Sequence, residues 1–207
     1  MNYDASFWDD RYAVDHFVFG TEPNVFLAEH SHLLAGPVLS ISEGEGRNAV
    51  FLASRGLDVL GVDLSAVALE KARNLAQSRG VKIRTECADL ATYEPNSGRY
   101  GAVVSIFAHL PLVIRGRLYP LLERSLVPGG ILLMESYSEK QLARDTGGPK
   151  NTEWLMTVEK IQREFPGMDP ILLREVEREV REGTGHTGMA SVIQFIGRKR
   201  TRESSEL

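Results

Sequence analysis

Pro37-Val38-Leu39-Ser40-Ile41-Ser42-Glu43-Gly44-Glu45-Gly46-Arg47-Asn48 decides how this chain folds. The apolar first half reads as a strand, the small residues and glycines as a tight turn, and the residues from Arg47 onward as a helix. A strand that turns directly into a helix leaves unpaired backbone N–H groups, and the positive end of a helix dipole, beside a cleft. Seventeen positions after Gly46 a second apolar run ends at Asp63, where a carboxylate is placed to accept hydrogen bonds from ribose hydroxyls. Together these features point to a cofactor built on a nucleoside. Ser40 and Ser42 are unusual residues for their places in such a turn.

Outward from this stretch, strand and helix patterns alternate. Asp4 to Tyr12 reads as a short helix with Asp4 or Ser6 as N-cap. Gly20-Thr21-Glu22-Pro23 marks a turn, and Pro23 suits the first turn of a helix carrying Phe26, Leu27 and Leu33-Leu34. Arg47 to Arg55 is expected to be helical and to stop at Gly56. Val59-Leu60-Gly61-Val62 is expected to be a strand covered on both faces. Ser65 caps the next helix, which has Leu69, Ala72 and Ala76 on one side and ends at Gly80. Val81-Lys82-Ile83-Arg84 alternates as a strand does, leading to Cys87-Ala88-Asp89-Leu90. Tyr100 to Ile106 is a further strand, residues 113–125 a helix, and Pro128-Gly129-Gly130 a turn into the strand Ile131-Leu132-Leu133-Met134. This alternation predicts an α/β fold with a doubly wound, mostly parallel sheet. Thr157 to Phe165 looks helical, and Ala190 to Ile196 is a β-branched and aromatic strand. Between 171 and 182 the pattern fits both states, since Leu173, Val176 and Val180 make a helical stripe while Leu172, Val176 and Val180 share one strand face.

A chain of 207 residues, 43% hydrophobic and 25% charged, suits one soluble globular domain. The formal net charge is −4, and the short basic run Arg198-Lys199-Arg200-Thr201-Arg202 reads as a solvated, frayed end. Both argue against a nucleic-acid partner. Cys87 is the only cysteine, which rules out an internal disulfide and a thiolate zinc site. It reads as a small buried residue, and no His/Cys/carboxylate spacing resembles a metal site. No apolar run reaches membrane-spanning length and Met1-Asn2-Tyr3-Asp4 has no leader pattern, so a cytoplasmic protein without a membrane partner is expected.

In an open parallel sheet the ligand lies beyond the carboxyl ends of the strands. The turn Ser42–Gly46, Asp63-Leu64, Asp89-Leu90, Ser105-Ile106-Phe107-Ala108-His109 and Glu135-Ser136-Tyr137 gather there. This set has carboxylates and little cationic charge, which suits an adenosine without a pyrophosphate and a ligand bearing sulfonium and ammonium groups, as S-adenosylmethionine does.

These segments, with Phe7-Trp8-Asp9-Asp10-Arg11-Tyr12, Phe19-Gly20-Thr21-Glu22-Pro23-Asn24, Phe107-Ala108-His109-Leu110-Pro111 and Leu126-Val127-Pro128-Gly129-Gly130, resemble the class I S-adenosylmethionine-dependent methyltransferases. The likeness is to their small-molecule branch, which includes the tellurite-resistance and thiopurine enzymes. It implies a Rossmann-like methyltransferase fold with a mostly parallel seven-stranded sheet and an antiparallel C-terminal strand, hence a strand at 171–182. It implies a single domain over 1–207, with a helical lid at 1–34, a cofactor core at 37–137 and substrate-side helices and a hairpin at 138–200. By position, the resemblance gives Asp63 to the ribose and Leu64 to the adenine, with Asp89 and Leu90 at the adenine edge. It brings the backbone of Ser42, Glu43 and Gly44 to the methionine portion, with Ser105 closing the other side. Trp8, Arg11, Tyr12 and Phe19 become the lid, and Arg11 meets the cofactor carboxylate. The sequence departs from the family at Ser40, where an acid is usual, and at Ser42, where glycine is usual; Glu43 or Glu45 is placed to compensate.

Methyl transfer from S-adenosylmethionine, leaving S-adenosylhomocysteine, to a small-molecule acceptor is the expected activity, by a monomer or homodimer. His109 is the candidate base or substrate-orienting group, against a role in capping the next helix or packing under Pro111. His186 reads as a solvated turn residue, Arg115 and Arg117 as helix-surface contacts, and Tyr137 as either packing or pocket wall. The competing readings are a non-catalytic cofactor-binding or regulatory protein with an altered loop, and an NAD-dependent oxidoreductase. The second is weakened by the lack of a full GxGxxG.

Overall fold

β1 (Val38–Ile41) is an interior strand of a seven-stranded sheet. On one side of it come β2 (Val59–Asp63) and then β3 (Arg84–Cys87), both parallel to their neighbours. On the other side lie β4 (Tyr100–Ile106) and β5 (Leu126–Tyr137), also parallel. The sheet ends with β7 (His186–Lys199), antiparallel to β5, and β6 (Met168–Glu182), antiparallel to β7. The computed structural model describes residues 4–144, 146–184 and 186–201. The chain winds outward one way from β1 to β3 and the other way from β4 onward. Strand order therefore reverses between β1 and β4, and that reversal opens a crevice above their carboxyl ends.

Every residue of β1, β2 and β4 is buried, because helices cover both faces. Alternation along the strands divides the core in two. Leu39, Ile41, Val62, Val103 and Leu132 pack under α5 (Leu112–Ser125) and α6 (Val158–Glu164), through Leu118, Leu122 and Ile161. Val38, Val59, Ala102, Val104 and Leu133 face α2 (Val25–His30) and α3 (Arg47–Ser54), through Phe26, Leu27, Ala49 and Leu52. α1 (Ala5–Tyr12) and α4 (Ala66–Ser78) pack together next to the crevice, joined through Tyr12 and Ala68. Asp4 caps α1 and Ser65 caps α4, as their side-chain types predict.

Several expectations are corrected. β3 begins at Arg84 rather than Val81 and is mostly exposed, because it is the sheet's edge. Cys87 on it is exposed too, not buried. Pro23 precedes the cap Asn24 instead of entering α2, and Leu33 lies beyond that helix in a 3-10 turn. Pro128-Gly129-Gly130 is not a free turn. It sits inside β5, where the register against β4 jumps from Tyr100↔Leu126 to Ala102↔Ile131, and the extra residues bulge outward. Residues 171–182 are strand, part of the long β6–β7 hairpin. The basic run is not frayed through Arg200: Arg198 and Lys199 belong to β7, Lys199 Nζ donates to Leu126 O at 2.6 Å, and Arg200 pairs with Asp169 at 2.8 Å. Arg202 falls outside the described residues. Among the described residues no helix is long and apolar enough to cross a membrane.

Gly46 lets α3 meet α4 closely. Its φ is +92°, and a Cβ there would stand 2.6 Å from Ala72 Cβ. Gly46→Ala is therefore expected to cost roughly 2–5 kcal/mol in urea unfolding, combining backbone strain with overpacking. Gly56→Ala, at φ +85° in open space, should cost only about 1 kcal/mol.

Candidate active site

The crevice is a cavity of about 790 Å³ bounded by the β1–α3 loop, the ends of β2 and β4, α1, and the loop around Gly147–Pro149. Trp8, Arg11, Tyr12, Ser42, Glu43, Gly44, Asp63, Leu64, Asp89, Leu90 and His109 all line it, so residues far apart in sequence converge there. Ser105 does not. It is 1% exposed inside β4, and the cavity wall at that strand is formed by Ile106 and Phe107.

The loop is tied down by carboxylates on both sides. Asp63 Oδ2 accepts from Gly44 N at 2.8 Å and Oδ1 from Ser65 N at 2.9 Å, fixing the acid at the crevice with lone pairs to spare. Burial pushes its pKa above the usual carboxylate value. Ser42 has φ +49°, the left-handed conformation that a glycine normally supplies here. The serine thus keeps the glycine's backbone path. Glu43 folds back under the loop: Oε2 accepts a short hydrogen bond from Ser40 Oγ, and Oε1 accepts from Ala49 N at 2.8 Å. Burial pushes its pKa up to about 7 against the opposing effect of those hydrogen bonds and of Arg47. Gly44 meets α1 directly, since a Cβ there would stand 3.0 Å from Tyr12 Oη.

Glu45 ties the segment after α1 to the loop. Its Oε2 accepts from Val18 N at 2.8 Å and Phe19 N at 3.3 Å, while Oε1 pairs with Lys71 Nζ at 2.5 Å. Lys71 also donates to the carbonyls of Tyr12, Val14 and His16, gathering the segment after α1. Asp9 Oδ1 accepts from Ser65 Oγ at 2.5 Å. Trp8 stacks on Tyr12, and the Arg11 guanidinium lies over the Trp8 and Phe19 rings at 5.9 and 5.5 Å.

The far end of the cavity is aromatic. Phe107, with φ +52°, packs against Tyr137 at 4.7 Å and His186 at 4.9 Å between ring centroids. His109 stacks on Tyr137, and its Nε2 accepts from Tyr137 N at 3.3 Å. Desolvation, reinforced by His186, pushes the His109 pKa down to about 3, so the imidazole is neutral with its Nε2 lone pair already engaged. His186, read from sequence as solvated, instead packs between Phe19, Phe107 and Tyr137 and lines the cavity. Its Nδ1 stands 4.0 Å from Glu182 Oε2, beyond hydrogen-bond reach, and has no hydrogen-bond partner among the described residues. Tyr137 is fully buried beneath Gly148 rather than lining the cavity.

Behind His186 lies a polar network that the sequence did not reveal. Glu182 accepts from Arg47 at 2.6 Å and from Asn24 at 2.8 Å. Asn24 also donates to Glu135 at 2.7 Å, as do Gln194 at 2.6 Å and Arg178. Burial alone would raise the Glu182 pKa, but the Arg47 guanidinium and the hydrogen bond from Asn24 hold it down at about 2. Arg47 NH1 is buried at the cavity wall with no hydrogen-bond partner among the described residues. The expectation of a crevice with little cationic charge is thus revised by Arg11 and Arg47, the latter neutralised by Glu182. Arg115 is also not a surface residue: at 2% exposure it bridges Glu164 and the carbonyls of Leu110 and Glu153, bracing the cavity's outer wall. Arg117 likewise donates to the carbonyls of Tyr93 and Thr92. The only advance signal for the network was polar residues punctuating strand patterns, as at Glu135 and Gln194.

A sheet in this order, with an acid closing β2 and a second acid after β3 beside a glycine loop, defines the class I S-adenosylmethionine-dependent methyltransferase architecture. Residues 38–130 match the family described as "Methyltransferase domain". The chain is similar to a 2-heptyl-1-hydroxyquinolin-4(1H)-one methyltransferase of Mycobacteroides abscessus, with 24% identity over 131 residues, covering 62% of this chain and 58% of that protein. The chain thus spans little more than half of that relative's length. Among solved structures, one described as "Conversion of a Disulfide Bond into a Thioacetal Group during Echinomycin Biosynthesis" has TM-score 0.75 and 22% identity, covering 97% of this chain and 94% of that one. TehB from Haemophilus influenzae has TM-score 0.68 and 16% identity, covering 95% and 67%. The two structures share the fold. Residues 38–130 carry the likeness to a methyltransferase domain, and the fold around them is the Rossmann-like methyltransferase fold.

The residues present suit the family's cofactor. Asp63 and Asp89 offer acceptor oxygens at the strand ends, Arg11 brings a cationic group suited to a carboxylate, and Gly44 lines the cavity with backbone that carries no side chain. The Glu182 network yields a pH prediction. A depressed folded-state pKa contributes stability that is fully present above the unfolded value near 4.5 and is lost as pH falls toward about 2. Glu182→Gln is expected to lower urea-unfolding stability by roughly 2–4 kcal/mol at pH 7, where it leaves Arg47 buried without a counter-charge, and by progressively less below pH 4.5. A constant difference from pH 7 to pH 3 would contradict the assignment.

Proposed function

We propose that this chain transfers a methyl group from S-adenosylmethionine to a small, planar acceptor bearing an ionisable oxygen, nitrogen or sulfur. One observation carries this reading: the single cavity joins an acid-tipped nucleoside end to an aromatic end furnished with Arg47 and His186. The named relative acts on a hydroxyquinolone, a flat heteroaromatic of the kind that Phe107 and His186 suit. The cofactor supplies an electrophilic methyl group on a sulfonium leaving group.

In this reading Asp63 receives the ribose hydroxyls, Leu64 packs on the adenine, and Asp89 and Leu90 meet its edge. The backbone of Ser42, Glu43 and Gly44 holds the methionine portion. Arg11 faces the carboxylate, and Trp8 and Tyr12 cover the site against water. At the acceptor end His109 is a neutral wall that orients the substrate, because its Nε2 is spent on Tyr137 N and burial keeps it unprotonated. The group left to take a proton from the acceptor is His186, whose ring borders the cavity with the Glu182 carboxylate behind it. Arg47 NH1, unpaired at the cavity wall, stabilises the acceptor's developing anion. Holding acceptor and donor in line supplies roughly 7–11 kcal/mol of such a barrier, and a positioned base contributes about 10²–10⁴-fold.

Isothermal titration with S-adenosylhomocysteine tests the cofactor assignment. The wild-type chain is expected to bind it, and Asp63→Ala to weaken binding by about 10-fold or more through loss of charge-assisted hydrogen bonds. Methyl transfer to a panel of hydroxylated and thiolated heteroaromatics, read by mass spectrometry, tests the rest. His186→Ala should lower kcat by about 100-fold with the S-adenosylhomocysteine Kd unchanged, whereas His109→Gln should act mainly on KM. Binding of NAD with no response to S-adenosylhomocysteine would sink the proposal.

A further inference from the structure

The two departures from the family pattern, Ser40 and Ser42, flank an unused fact: the buried carboxylate of Glu43 points back at Ser40. We propose that Glu43 performs from the loop the positioning task that an acid at position 40 performs in the family, clamping the loop to β1 and α3 and facing the ammonium end of the cofactor's methionine portion. This rests on S-adenosylmethionine being the cofactor.

The geometry is that of a carboxylate exchanged for a hydroxyl across one hydrogen bond. A serine at position 40 is short enough to leave the space beneath the loop free, and its Oγ donates to Glu43 Oε2. Glu43 Oε1 accepts from Ala49 N in the first turn of α3, satisfying one of the helix's otherwise orphaned donors. The side chain is only 5% exposed, and the residue borders the cavity. Space for it comes from β2. A Cβ on Gly61 would stand 3.0 Å from Glu43 Cγ and 3.3 Å from Glu43 Cβ, so any larger residue there would push the carboxylate out. Ser40, Glu43 and Gly61 form one solution in which each residue makes sense only with the other two.

The other acids nearby are already committed. Glu45 holds the segment after α1 through Val18 N, Phe19 N and Lys71, and Asp63 holds Gly44 N and Ser65 N. Arg47 NH2 is engaged by Glu182, so it does not neutralise Glu43 by direct pairing. With Asp63 assigned to the ribose and Glu45 to the segment after α1, Glu43 is the loop acid left for the ammonium end, and the loop is rebuilt rather than degenerate.

The test uses the full chain and two ligands, S-adenosylhomocysteine and 5′-methylthioadenosine, which lacks the amino-acid portion. Glu43→Gln keeps the volume and an acceptor for Ala49 N but removes the charge. It is expected to raise the Kd for S-adenosylhomocysteine about tenfold or more, the scale of one charged hydrogen bond, and to leave 5′-methylthioadenosine within about twofold. Adding Ser40→Asp to that variant should return S-adenosylhomocysteine to within about threefold of wild type. Equal weakening of both ligands, an unchanged S-adenosylhomocysteine Kd, or no recovery in the double variant overturns the proposal. Amide hydrogen exchange in the ligand-free chain separates this from failure of the cofactor assignment. Glu43→Ala should speed exchange at Ala49 N about tenfold or more while the β4 amides keep wild-type protection, and unchanged exchange at Ala49 would refute the clamp even if no ligand binds.

Discussion

Two buried carboxylates, Glu135 and Glu182, hold the two halves of this molecule to each other. Glu135 lies near the end of β5 and takes hydrogen bonds from Asn24, Arg178 and Gln194. Glu182 ends β6 and takes them from Asn24 and from Arg47, the residue that opens α3. A buried charge left without partners costs several kcal/mol. The cap of α2, the start of α3, β5 and the C-terminal hairpin must therefore all be in place before both acids are satisfied. The cavity inherits its shape from that condition. Arg47 is drawn toward the hairpin, His186 is set among aromatic rings, and Thr184 N at the hairpin tip donates to Val18 O, after α1, at 3.0 Å.

The crevice arranges charge economically. Asp63, Glu43 and Glu45 lie close together on a few loop turns, yet each has its own donors: Gly44 and Ser65 for the first, Ser40 and Ala49 for the second, Val18, Phe19 and Lys71 for the third. Strain is concentrated in the same place. Ser42 and Phe107 are the non-glycine residues with positive φ among those described, and both face the cavity from opposite sides. Such backbone is tolerated where surrounding contacts over-determine it, and it marks the site as firmly as the acids do.

How far the sequence could be read depended on the range of the forces involved. Strand β4 and the caps Asp4 and Ser65 were legible because burial on two faces and capping are local demands that leave local patterns. The start of β3 was misplaced because Val81-Lys82-Ile83-Arg84 alternates just as a strand does, while pairing with β2 selects Arg84–Cys87. The convergence of Asp63, Leu64, Asp89 and Leu90 on the crevice was legible from the resemblance. The fates of His186 and Arg115 were not. A histidine in a glycine turn and an arginine on a helix look solvent-facing until the hairpin folds over one and the helix α6 pairs with the other.

The sequence by itself determined the alternation of strand and helix and the acids at the ends of β2 and β3. Each follows from periodicity or from spacing along a short length of chain. Only the tertiary structure decided that Glu43 answers Ser40, that His109 is a neutral wall, and that Arg47 belongs to Glu182. Those pairings join residues from separate elements, and a buried polar group chooses its partner by proximity and desolvation in the folded state, which no pattern along the chain records.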